Sequence, residues 1–352
     1  MKKYCYSCIR ELLPKEEVDI EMQKEKKHDH GEHIIPNGIG GKLVSTGILC
    51  NYCGGKYGIG IDKALNECCE SFVYLSNTDR DRKDARPLKV EYKDGSIDRV
   101  DIDGNRTKVL KGAPAIPLNA DGLPDFSIEV KSKQEREAMQ GRIKKDFPDI
   151  NIKSTPQLIY DSSTGKIGYP WCEDAYKGVA KIAVGFFMSK GGCRTDIQGF
   201  IPYLDKPVDY EFRPVALYYP SSLNTDSLGI SHTIILQSDR KNKTLFCYIK
   251  LFNTLGFLVC LNDGGYEGKD INECYNYNLL DRKEEALSLC FDNEEAQSFL
   301  RDIAFDYCNG NNYLFRDDMK QKFEEELKKF EKIIDEKKPN PKLDSEFREL
   351  DW

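Results

Sequence analysis

Two Cys-x-x-Cys pairs, Cys5-x-x-Cys8 and Cys50-x-x-Cys53, constrain this 352-residue chain more than any other feature. Two thiolates at that spacing point from a short turn at one ion, and two pairs supply the four ligands of a tetrahedral zinc. A structural Zn²⁺ on Cys5, Cys8, Cys50 and Cys53 is therefore expected. The interval between the pairs is longer than in common zinc ribbons, so a substructure must sit inside it. The chain has thirteen cysteines, which read as thiols and metal ligands rather than disulfides. Cys68-Cys69 reads as packing on a helix, and the scattered others as small buried hydrophobes.

Hydrophobic residues make up 39% and charged residues 32% of the chain, the balance of a globular protein. No apolar run approaches the roughly 20 residues of a membrane span. The opening Met-Lys-Lys-Tyr-Cys-Tyr-Ser-Cys has no leader-like apolar stretch. A cytoplasmic protein with no membrane partner is the expectation. The net charge of −7 argues against nonspecific coating of nucleic acid, although only the local field at a site decides what binds there.

The chain divides into four stretches. Residues 1–75 are dense in Cys, His and Gly. Over 76–150 short alternating runs around Asp94-Gly95 and Asp103-Gly104 predict a β-meander, followed by a short helix at Glu135–Lys145 in a polar linker. Residues 151–310 predict an α+β domain able to fold alone. Asp174–Lys190 carries apolar residues at helical spacing and ends at Gly191-Gly192. Strands are expected at Val215–Tyr219, His232–Leu236, Thr244–Leu251 and Gly256–Leu261, forming an antiparallel sheet on that helix. Over 311–352, Met319, Phe323, Leu327, Phe330 and Ile334 share one face of a charged helix, docked on its own chain or serving as a homodimer contact.

Between the Cys pairs lies Gly31-Glu-His-Ile-Ile-Pro-Asn-Gly-Ile-Gly-Gly-Lys-Leu43. An acid-His dipeptide, two aliphatics, Pro and a Gly-rich turn, followed by a Cys-x-x-Cys knuckle, resembles the HNH (ββα-metal) nuclease family, in its stand-alone bacterial form. The resemblance covers about residues 1–70. It implies an α+β chain: a zinc-bound, treble-clef-like ββα-metal module, then a larger mixed domain and a C-terminal helix. It also implies a metal-dependent endonuclease acting on nucleic acid, DNA first, with a role in bacterial defence.

Under that resemblance Glu32 matches the acidic ligand of a catalytic Mg²⁺ or Mn²⁺, and His33 matches the general base that activates water. Relatives carry Asn or His directly after the second knuckle, where this chain has Gly54. Asp62 is then the candidate to reach the ion from the helix, and Asn37 the candidate orienting residue, with Asn51 a weaker substitute. Lys42, Lys56 and Lys63 are candidates for phosphate contact. His28 and His30 read as exposed loop residues first and as accessory metal ligands second, and His232 as a structural histidine in a strand. The competing reading is a noncatalytic zinc-finger module that binds nucleic acid or protein, with Gly54 marking the lost ligand. A third places the main activity in 151–310, where no phosphate-cradling or triad motif is present.

Overall fold

The computed structural model describes residues 2–81, 88–92, 97–100, 106–109, 141, 144–145, 165–166, 171–205, 214–308 and 316–337. The chain forms two compact units, one from residues 1–84 with 169–339 and one from 85–168 with 340–352. Helix and sheet are mixed throughout, as an α+β chain requires.

The first unit begins with a sparse segment. Helix α1 (Ile20–Lys24) precedes a minimal hairpin, β1 (Glu32–His33) against β2 (Val44–Ser45), with Glu32 opposite Ser45 and His33 opposite Val44. Three short helices follow: α2 (Asn51–Ile59), α3 (Ile61–Cys68) and α4 (Glu70–Leu75). Cys50 starts α2 by accepting the Cys53 N–H on its sulfur, so the second knuckle is also a helix N-cap.

The second unit holds an antiparallel four-stranded sheet of order β5-β4-β3-β6, from β3 (Leu88–Tyr92), β4 (Ile97–Val100), β5 (Arg106–Val109) and β6 (Gly165–Lys166). Its first three strands are the expected meander. The Asp94-Gly95 and Asp103-Gly104 turns lie outside the described residues, as does the Glu135–Lys145 helix apart from Gly141, Lys144 and Lys145.

Helix α5 (Glu173–Ser189) is the core of the first unit: every residue from Ala175 to Phe187 is buried. A helix buried all round needs cover on both sides. On one side lies an antiparallel six-stranded sheet of order β12-β11-β8-β9-β10-β7, built from β7 (Val215–Leu217), β8 (Ser231–Asp239), β9 (Thr244–Leu251), β10 (Leu255–Asn262), β11 (Asn272–Asn278) and β12 (Lys283–Glu284). Phe257 of β10 meets Tyr176 of α5 edge-on, at 6.2 Å between ring centroids. On the other side α5 meets α3. Gly178 makes that crossing possible, because a Cβ there would lie 2.8 Å from both the Ile61 carbonyl oxygen and the Leu65 Cβ.

Strand alternation puts Tyr248 and Lys250 on the sheet face away from α5. Helices α7 (Asn293–Cys308) and α8 (Asp317–Lys337) cover it: Phe299 packs on Tyr218 at 4.5 Å, and Glu326 pairs with Lys250. With both faces covered, β9 is buried along its whole length. The α8 residues Met319, Phe323, Leu327 and Phe330 are all buried in the chain itself, and Phe330 meets Phe72 of α4 at 5.1 Å. Ile334, the fifth residue of that face, is half-buried.

The expected boundaries at 75 and 151 do not coincide with the compact units, because residues 1–84 pack with 169–339. His232 is one reason. Its Nε2 donates to the Ile39 carbonyl at 2.7 Å, and its Nδ1 accepts the Phe252 N–H at 3.2 Å. Phe252 takes a positive φ of 56°, unusual for a bulky side chain. It is held there by that bond and by stacking on Phe72 at 5.3 Å. Cysteine burial also differs in part from expectation: Cys68, Cys69, Cys247 and Cys260 are buried, but Cys172, Cys193 and Cys290 are exposed. Among the described residues no helix is long and apolar enough to cross a membrane.

Both nitrogens of His232 are engaged in the neutral form, and burial pulls its pKa from 6.5 down to about 4. Between those values the unfolded chain binds the proton and the folded chain does not, so stability falls as pH falls through this window. The full shift corresponds to about 3 kcal/mol, lost progressively between pH 6.5 and 4. Urea denaturation across this range should show the loss, and His232→Gln should flatten that part of the profile.

Candidate metal centre and the charge cluster beside it

The first knuckle is a turn in which the Cys5 N–H donates to Arg10 and the Ile9 N–H returns to Cys5. The Tyr6 N–H donates to the Ile48 carbonyl, which carries this turn up to the second knuckle. The sulfurs of Cys5, Cys8, Cys50 and Cys53 all lie within 4.8 Å of one another, with three of the residues buried and Cys8 exposed. Cys8 Sγ and Cys50 Sγ are 3.8 Å apart. Tetrahedral zinc–thiolate bonds of ~2.3 Å imply sulfur separations of roughly 3.8 Å, so the cluster fits the ion. Hydrogen bonding with Cys5 and Cys53 pulls the Cys50 thiol down to about 3, while the same contacts push Cys53 the other way. Four convergent sulfurs are a donor set suited to a thiophilic cation.

One strand away is a second cluster, with its charge buried. Glu32 on β1 points inward and is 8% exposed. Its Oε2 accepts from His30 Nε2 at 3.0 Å, and its Oε1 is paired with the Lys181 ammonium. Lys181 comes from the middle of α5 and also donates to Asp62 Oδ2 at 2.6 Å. Asp62 starts α3 and is itself buried, and its Oδ1 has no hydrogen-bond partner.

Burial pulls the Lys181 pKa down, but Asp62 and Glu32 together outweigh it and raise it overall. Burial also pushes Glu32 up, yet His30 and Lys181 keep its carboxyl below the ordinary range. For Asp62 burial wins, and its carboxyl sits above that range. His30 is pulled down by burial but raised overall by Glu32 and the Leu49 carbonyl. Breaking a buried pair of this kind typically costs about 3–5 kcal/mol.

Glu32 and Asp62, expected to share a catalytic ion, are thus brought together by a lysine. Gly54, where a helix ligand was expected, faces the same cluster. A Cβ there would lie 2.7 Å from His30 Nε2 and 3.0 Å from Glu32 Oε2, so the His30 ring fills the space of a side chain at 54. His28 and His30 are not the exposed loop residues expected: His28 is buried with Nε2 3.3 Å from Asn51 Nδ2, and His30 is half-buried.

His33 is placed apart from Glu32. Its Nε2 lies 3.6 Å from Asp81 Oδ2, and the ring is 32% exposed. Asn37 accepts the Asp81 N–H at 3.1 Å and donates to the Gly41 carbonyl, so it orders the Asp81 segment. The lysines considered for phosphate contact each face an acid: Lys42 with Asp81 at 2.8 Å, Lys56 with Asp205 of α6 (Pro202–Asp205) at 2.6 Å, and Lys63 with Glu67 at 3.8 Å.

Lys181 and Asp81 were missed by the sequence reading. For Lys181 a signal existed: it is a lone cation inside the run Val179-Ala-Lys-Ile-Ala-Val-Gly-Phe-Phe187. Asp81 stood in a charged stretch with nothing to single it out.

Elemental analysis of the reduced, folded chain should find about one zinc per molecule. Cys50→Ser should lose the ion and lower the melting temperature, since Cys50 both ligates and caps α2. A zinc-free chain that melts like the zinc-bound form would remove the metal centre.

No protein-family model, curated protein sequence or solved structure matches this chain.

Proposed function

We propose that residues 1–81 are a zinc-held module with the hairpin-and-helix frame of an HNH nuclease, serving recognition rather than phosphodiester cleavage. One observation carries this reading: Lys181 is ion-paired to both Glu32 and Asp62. A catalytic ion on those carboxylates would need the volume and the charge that the ammonium already supplies. Gly54 agrees, since it offers no ligand and its side-chain space holds His30.

The surface favours a protein partner. The exposed large apolar side chains among the described residues are Tyr4, Ile9, Ile20, Val44, Tyr52 and Ile59, all in this module. Tyr4 and Ile9 flank the first Cys pair and Tyr52 sits within the second. Exposed aromatic and aliphatic groups are what protein interfaces cover. The candidate phosphate-binding lysines are instead paired with carboxylates.

A second reading, the metal-dependent endonuclease acting on DNA, has one observation in its favour. His33 is solvent-accessible beside Asp81, as a base oriented by a carboxylate would be. It needs an ion held away from Glu32 and Asp62.

Incubation of plasmid, single-stranded DNA and RNA with Mg²⁺ or Mn²⁺ decides between them. The zinc-loaded wild type is expected to cleave none of them above a protein-free control. Cleavage that His33→Ala reduces by about 10²–10⁴, with zinc content unchanged, would establish the nuclease instead.

A further inference from the structure

We infer that the surface around the two cysteine knuckles docks an acidic peptide segment of a partner protein. Its apolar side chains would seat on Tyr4, Ile9 and Tyr52, and its carboxylates on Lys3, Arg10 and Lys26. This rests on the recognition reading of the module and names the chemistry of the partner.

The three apolar side chains ring one centre. Tyr4 precedes Cys5, Ile9 follows Cys8 and Tyr52 precedes Cys53, and the sulfurs of the four clustered cysteines lie within 4.8 Å of one another. Tyr4 is 46%, Ile9 59% and Tyr52 56% exposed. Cys8 is the exposed member of the four, so the cluster meets solvent next to Ile9. The Tyr52 N–H donates to the Lys26 carbonyl at 2.7 Å, which brings Lys26 to the second knuckle.

Ile9 carries the inference furthest. It takes a φ of 63°, in the left-handed region where a β-branched residue is an outlier. Glycine would meet the same backbone demand without strain. Phe252 also takes a positive φ, but its ring is buried and stacked on Phe72. Ile9 has no such compensation, since more than half of it lies in solvent. A strained apolar residue kept at the surface marks a site that something else completes.

Charge selects the kind of partner. Lys2 and Lys27 are paired with Glu11 and Glu25, whereas Lys3, Arg10 and Lys26 form no ion pair among the described residues. Separate cations beside aromatic and aliphatic groups match carboxylates spaced between apolar residues of a peptide. They do not match a nucleic acid. Glu16, Glu17 and Glu21 are exposed in the same stretch of chain and would repel a continuous row of phosphates.

The test is selection from a phage-displayed random-peptide library on the full-length, zinc-loaded chain. Selected peptides are then labelled and titrated by fluorescence anisotropy. Wild type is compared with Ile9→Gly, Tyr52→Ser and the double variant Lys3→Glu, Lys26→Glu, each with zinc content and melting temperature measured. All of these side chains are exposed, so the variants keep the fold. The selected peptides are expected to be rich in Asp and Glu together with Leu, Ile, Phe or Trp. Ile9→Gly and Tyr52→Ser should each weaken binding roughly tenfold. The lysine double variant should lose the acidic peptides. Ile9→Gly should not lower the melting temperature, because it relieves the left-handed backbone.

The inference is overturned if no peptide is enriched, if the enriched peptides are not acidic, or if the variants bind them as wild type does. A lower melting temperature for Ile9→Gly would also overturn it, since Ile9 would then serve packing. Binding of a labelled oligothymidine that Tyr52→Ser abolishes would assign the surface to nucleic acid instead. Cleavage of nucleic acid judges the noncatalytic reading, whereas the peptide titrations judge this surface alone.

Discussion

Taking an ammonium out of water costs several kcal/mol unless carboxylates and hydrogen bonds replace its hydration. Lys181 is almost wholly out of water, and its replacements come from far along the chain: Glu32 from a two-residue strand and Asp62 from the start of α3. Each must be placed by something else. Gly178 lets α3 approach α5 closely enough for Asp62 to arrive, and the hairpin beside the cysteine cluster presents Glu32. Neither the N-terminal segment nor the sheet-bearing segment satisfies this charge alone. That is one physical reason residues 1–84 and 169–339 form one compact unit across an intervening segment.

The N-terminal segment depends equally on what it leans against. Strands β1 and β2 are two residues each, and α2, α3 and α4 are all short. Elements of that length do not persist in water without a staple. A metal ion on the four clustered cysteines would be one staple, since it would join the turn near the N-terminus to the start of α2. The others are contacts with the rest of the unit. Arg194 donates to the Tyr6 carbonyl beside the first knuckle at 2.7 Å, His232 holds the Gly-rich turn at Ile39, and Phe72 lies between Phe252 and Phe330.

What the sequence disclosed follows from how local each signal was. The cysteine spacing, the buried helix near 173–189 and the apolar strands β8, β9 and β10 are all written in contiguous residues, and the structure has them where they were expected. Strand β11 was not anticipated: Asn272-Glu-Cys-Tyr-Asn-Tyr-Asn is rich in polar residues, and only Tyr275 and Tyr277 alternate with them; its polar groups are used in pairing with β8 and in bonds such as Thr233 to Asn276 at 2.8 Å. The Lys181–Asp62 bond spans 119 residues, and no local pattern names the partner of a buried lysine. The compact units follow long-range packing of the same kind, and the change of texture at residue 76 marks where composition shifts.

The decisive feature of the site is that adjacent residues of a strand face opposite ways. Glu32 turns inward to Lys181 and His30, while His33 turns outward to Asp81. An inward ion on Glu32 would lie across the strand from the base meant to activate its water. It would also meet the ammonium. A dication placed about 3 Å from a fixed positive charge is repelled by on the order of 10 kcal/mol even at the screened dielectric suited to protein sites. No coordination by the same two carboxylates recovers that while Lys181 still binds them. Because Lys181 stands in the middle of a helix that is buried from Ala175 to Phe187, its ammonium is held where both carboxylates meet it.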